Sequence, residues 1–307
     1  MLHLLLSSTL TLAAPSAVPT SPLVALPLVQ DERPVEGEDE AGPERLEAWP
    51  EADKETKKAI TKELGRVRKA RTPEMAEGGH AELVKIGHAA APELLRILSK
   101  ERNEEARERL VGVLADLTDA RHTRLLAAEF GHKSEHVRLF ALERAAAFPD
   151  AGIREAASAA FVAAKDRADT KKEVEHELDV AALALCSSGS IEGLDVLHAR
   201  ALKDWGDWGQ RIRAAIEALR GPEAARRVAP HLEGDRKDVV AALRLLAGCG
   251  DKETAGPLVK PLLDSTDNSI RVAAINAARG IVDGDLPLDR LSVFEAVELA
   301  NEWKRKL

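Results

Sequence analysis

From residue 53 to the C-terminus, apolar residues recur every three or four positions in short runs, and each run is broken by Gly, Asp or Pro. That period places one apolar stripe on an α-helix. Six runs can be laid over one another: 104–119, 134–150, 175–190, 209–222, 236–251 and 268–285. Each opens on a polar residue, passes through an apolar position followed in most cases by arginine, and continues as an Ala/Leu run. The column after the first apolar position holds Arg107, Arg138, Asp179, Arg213, Val240 and Arg271, at spacings of 31, 41, 34, 27 and 31 residues. A second amphipathic run follows each of these, the last ending at Trp303-Lys304-Arg305-Lys306-Leu307. Upstream lie a basic helix near 53–70, a helix near 73–86 and the run GHAAAPELLRILSK from Gly87.

A period of 30–40 residues is the signature of a helical repeat array, in which one helix pair buries its apolar face against the next. The residues resemble the HEAT-repeat family. Gly87, Ala90, Pro92, Leu95 and Leu98 carry the pattern of that family's second helix, and Val137-Arg138, Ile212-Arg213 and Ile270-Arg271 carry that of its first. The resemblance covers roughly residues 53–307 and implies an all-α, right-handed α-solenoid of about seven antiparallel HEAT-like helix pairs. It is specific for architecture and silent on activity. Asp179 and Val240 depart from the arginine column. RADTKKE, at 167–173, reads as a longer loop between repeats.

Helix starts are marked by local chemistry. Thr72-Pro73 gives an N-cap with proline at the first helical position. Thr170-x-x-Glu173, Asp207-x-x-Gln210 and Ser292-x-x-Glu295 fit capping boxes. Pro92, Pro222 and Pro257 stand where second helices begin. The recurring arginines are expected to pair with acids in their own or the adjoining repeat, setting register rather than adding much stability, since exposed pairs contribute roughly 0–1 kcal/mol.

The first 52 residues differ. Residues 1–30 are apolar, rich in Ser, Thr, Ala and Pro, and read as a signal peptide, with cleavage points after Ala13 or Ala25, the alternative being a disordered apolar N-terminus. Export to the periplasm or the medium is therefore expected, a cytoplasmic protein being the alternative. Prolines 15, 19, 22 and 27 argue against a stable membrane span. Residues 31–52, acidic and poor in large apolar side chains, read as a flexible linker.

Composition sharpens this picture. Charged residues make up 31% of the chain and hydrophobic residues 45%, while aromatics are only 3% and tyrosine is absent. The net charge is −8, and residues 31–55, with 11 acids and three bases, account for all of it. The repeat region is thus neutral, without the basic excess of a dedicated nucleic-acid binder.

Few residues suggest chemistry. His132-Lys-Ser-Glu135-His136 matches the H-x-x-E-H spacing of an inverted zinc-protease motif. Ser134 reads as a helix N-cap, however, which leaves His132 outside the helix and separates the two imidazoles. Cys186 and Cys249 end first helices two repeats apart, too far for a disulfide. Asp204-Trp205-Gly206-Asp207-Trp208-Gly209 reads as a loop whose tryptophans either contact a partner or pack across it onto Ile212. The basic helix near 53–70 reads as a capping helix with a solvated face. No catalytic residue, metal ligand or cofactor-binding residue is named, and no cofactor is expected.

The function expected is non-catalytic protein binding or scaffolding, with a protein or peptide on the concave face. The rivals are an enzyme-like accessory, as in HEAT-like proteins that attach or remove bilins, a metal-dependent version of it, and a purely structural spacer.

Overall fold

The computed structural model describes residues 44–170, 175–288 and 290–307. All regular structure among them is helical. The expected signal segment, residues 31–43 of the linker and Glu173 lie outside the described residues. No described helix is long and apolar enough to cross a membrane.

Three helices lead: α1 (Lys54–Arg68), α2 (Pro73–Ile86) and α3 (Ala91–Leu98). Asp53 caps α1 by accepting from Thr56 N at 2.7 Å, and Ile60, Leu64 and Val67 lie on its buried stripe. Thr72 caps α2, with Pro73 at its first position. Gly87, at φ 83°, then turns the chain into a 3-10 segment ahead of α3, a conformation open to glycine and strained for other residues.

The chain continues through α4 (Glu104–Leu117), α5 (Thr123–Ala127), α6 (Glu135–Ala147), α7 (Arg154–Thr170), α8 (Glu175–Ser187), α9 (Leu194–Lys203), α10 (Trp205–Glu217), α11 (Pro222–Val228), α12 (Arg236–Cys249), α13 (Ala255–Val259), α14 (Asn268–Val282) and α15 (Val293–Lys306), and each of α3, α5, α7, α9, α11 and α13 packs on the even-numbered helix that follows it. Among the later helices the packing also alternates. α6 lies on α8, α8 on α10, α10 on α12 and α12 on α14, while α9 touches α11 and α11 touches α13. The core is built from alanine and leucine. In α8 every residue from Asp179 to Ser187 is buried, because α6, α7, α9 and α10 surround it.

Several second helices are short for a local reason. α11 and α13 each give way to a 3-10 turn, Ala229–Glu233 and Lys260–Asp264, with Pro230 and Pro261 as second residues. Proline has no N–H for the i→i−4 bond, so the α-helix stops there.

Three expectations are corrected. RADTKKE is not a loop over its described part, because α7 runs through Thr170, whose hydroxyl donates to Arg167 O at 2.8 Å. Asp207 is not a cap either: α10 begins earlier, with the Asp204 carboxylate accepting from Asp207 N at 3.2 Å. The Ser292–Glu295 capping box does form. Residues 44–52 are not a free spacer. Leu46 N donates to Arg121 O at 3.0 Å, Arg45 pairs with buried Asp150 at 3.1 Å, and the Trp49 ring stacks on His122 at 5.2 Å. Overall acidity hid these anchors, two side chains and one backbone N–H.

The arginine ladder forms only in part. Arg138 donates from Nε and Nη2 to the two oxygens of Glu177 on the next even-numbered helix, at 2.6 and 2.8 Å. It also donates to His132 O at 2.8 Å. Arg271, at the same helical position, donates to Ser265 O at 2.7 Å, again six residues back. The shared device is therefore an arginine in the first helical turn that closes the loop preceding its own helix. Arg107 instead meets the His136 ring.

Candidate functional site

The H-x-x-E-H residues are not brought together around a common point. α6 begins at Glu135, and His132 stays outside it, its Nδ1 accepting from Ser134 N at 2.9 Å. His136 faces Arg107, Nε2 to Nη1 at 2.5 Å. Burial and the neighbouring guanidinium both push its pKa down. Ser134 occupies the cap position, but its side chain makes no capping bond.

Cys186 and Cys249 are free and buried. Burial pushes both thiols up, Cys249 to about 12. Neither is a nucleophile near neutral pH.

The double-tryptophan segment is the first turn and a half of α10 rather than a loop. Trp208 is buried between the guanidinium groups of Arg200 and Arg211, 4.4 and 4.6 Å from its ring, with His176 edge-on at 5.7 Å. Trp205 lies along its own helix over Gly209, where a Cβ would fall 2.7 Å from the indole, and the Arg244 guanidinium of α12 lies over its ring at 5.0 Å. Both rings therefore serve packing between helices. Beside them Asp179, within 3.5 Å of Arg200, is pushed up to about 6 by burial.

A different group converges without any marking motif. The buried stripe of α9 reads Leu194, Leu197, His198 and Ala201, so one core position carries an imidazole. His198 is 3% exposed. Where Pro230 ends α11, the 3-10 turn delivers His231 onto it, and the two rings stack at 3.8 Å with 17° between their planes. Asp238 enters from the first turn of α12. It closes a capping box with Asp235, Asp238 Oδ2 accepting from Asp235 N at 3.3 Å, and its carbonyl lies 3.3 Å from His198 Nε2. One ligand atom from each of His198, His231 and Asp238 can be chosen so that all three lie within 4.8 Å of one another. Asp195, one turn before His198, approaches His231 Nε2 at 3.8 Å and is paired with Arg227.

The electrostatics favour a neutral His198 ring. Burial lowers the His198 pKa below the usual histidine value, outweighing the bond to the Asp238 carbonyl. The sequence offered one cue to this group, a histidine on the apolar stripe of a helix. Its partners come from separate elements and cannot be read from spacing. In comparisons with known proteins, no family model and no curated sequence matches this chain, so the family resemblance rests on the repeat residues themselves.

Proposed function

We propose that the chain is a non-catalytic scaffold, a right-handed solenoid of about seven antiparallel HEAT-like helix pairs that holds a protein or peptide on its concave face. The observation carrying this reading is the alternate packing in chain order, α6 through α14 in even steps and α9 through α13 in odd steps. Packing confined to near neighbours is how a repeat array propagates, and it leaves a long face free for a ligand. The odd-numbered helices would line that face. α7 presents Glu155, Ala159, Val162 and Asp166 outward along one stripe, and Val162 is 53% exposed.

Affinity capture from the exported fraction tests this, comparing the wild-type chain with Val162→Asp and with Glu298→Lys on α15. A protein retained by the wild type and by Glu298→Lys, but released by Val162→Asp at unchanged Tm, supports the reading. Equal retention by all three places binding off the α7 stripe and contradicts it.

A further inference from the structure

We propose that His198, His231 and Asp238 bind a divalent transition-metal ion of the zinc class, clipping α9 to the junction of α11 and α12. The ligand set suits such an ion: two imidazoles and one carboxylate are the borderline nitrogen and oxygen donors that zinc takes from proteins. Magnesium and calcium prefer all-oxygen shells.

The distances leave room for the ion. Zinc binds nitrogen and oxygen at about 2.0–2.2 Å, so donors around a tetrahedral centre stand about 3.3 Å apart. Here they lie within 4.8 Å, and closing on an ion requires movements of about 1 Å. His198 is held in the core, whereas His231 and Asp238 are half-exposed. The two side chains that must swing inward are thus those with freedom to do so, and the same exposure gives the ion a path from solvent.

Surrounding groups stand close by. Asp195 stands 3.8 Å from His231 Nε2, beyond a hydrogen bond, and would have to close on that nitrogen to play the part of the carboxylate that commonly orients a ligating histidine through its other ring nitrogen. Arg227 holds Asp195 with an Nε to Oδ1 bond of 3.1 Å. The ligands come from α9, from the 3-10 turn after α11 and from the first turn of α12, so binding would couple one repeat to the next. At the position of His231 the following 3-10 turn has Leu262, so this clip belongs to one repeat interface and is not a general feature of the array.

The test uses the full untagged chain after dialysis against a chelator. Cobalt(II) is added first as a spectroscopic probe, and zinc second while Tm is read. The expected result is one equivalent of cobalt giving visible d–d absorption that zinc abolishes. Zinc at about 100 times its Kd should raise Tm by roughly 5–10 °C. His231→Ala and Asp238→Asn, both at half-exposed positions and checked for wild-type Tm without metal, should weaken binding by more than about 100-fold. Asp195→Asn should weaken it by about 10-fold while keeping the stoichiometry. His136→Ala should bind as the wild type does. The proposal is overturned by absence of cobalt absorption and Tm shift, by unchanged affinity in His231→Ala and Asp238→Asn, or by loss of binding in His136→Ala. An equal Tm response to magnesium would also overturn it.

Discussion

The start of α6 and the junction of α9, α11 and α12 each carry two histidines and one acid, with opposite outcomes. At α6 the helix begins between the histidines, so one ring serves a loop and the other faces an arginine. At the junction three separate elements bring two rings into face-to-face contact at 3.8 Å beside a carboxylate. Where helices begin and how they pack decides whether these side chains meet. Closeness along the chain does not.

The largest expected effect moves the junction without touching a ligand. Leu197 is fully buried beside His198 on α9, and Leu197→Ala should cost about 2–5 kcal/mol in denaturant unfolding. The same experiment on Val293→Ala, at an exposed position of α15, should change stability by less than about 0.5 kcal/mol. Similar losses for the two would contradict the burial pattern.

Next comes the pair that ties α6 to α8. Glu177 is almost fully buried, and Arg138 grips both of its oxygens. Arg138→Met leaves that carboxylate with Arg167 alone and should cost about 3 kcal/mol. The Glu177 pKa is lowered in the fold because the two arginines outweigh its desolvation. Its contribution is therefore present above the ordinary glutamate pKa and is lost as pH falls through the lowered value, so the cost of Arg138→Met should shrink in acid.

Asp179 should behave in the opposite sense. Burial pushes its carboxyl up to about 6, against an ordinary value near 4. Between these values the folded chain holds a proton that the unfolded chain releases, so stability falls as pH rises from about 4 to about 6. Asp179→Asn should remove this slope and gain roughly 1–3 kcal/mol on the wild type across that window. A constant difference between pH 4 and 7 would show that Asp179 stays ionised throughout.

The smallest effects compare helix caps. Asp204→Ala removes a side chain bonded to Asp207 N and should cost about 1 kcal/mol. Ser134→Ala, at the cap position inside the H-x-x-E-H run, removes no capping bond and should cost under about 0.5 kcal/mol. Equal costs would mean that Ser134 caps α6 after all.

These particulars mark how far the sequence could be read. The even-numbered helices from α4 to α14 were legible within a few residues at most starts, because apolar period and polar caps agree there. The start of α10 was missed by four residues. Its cap, Asp204, precedes two tryptophans and two glycines that imitate a loop. The end of α7 was missed because Lys165, Asp166, Arg167 and Asp169 look like linker yet suit an exposed helical turn. Docking of residues 44–52 was hidden because three anchors sit among many acids. The histidine junction was illegible for a stronger reason. Its ligands lie 33 and 40 residues from His198, and only the break at Pro230 and the packing of α9 on α12 bring them together.

The most direct test of whether packing assembles a metal site is a crystal grown with zinc and measured on both sides of the zinc absorption edge. The account predicts one anomalous peak between His198, His231 and Asp238, with ligand distances of about 2.0–2.2 Å. A peak beside His132 and His136, or stacked rings at 3.8 Å with no peak between them, would contradict it.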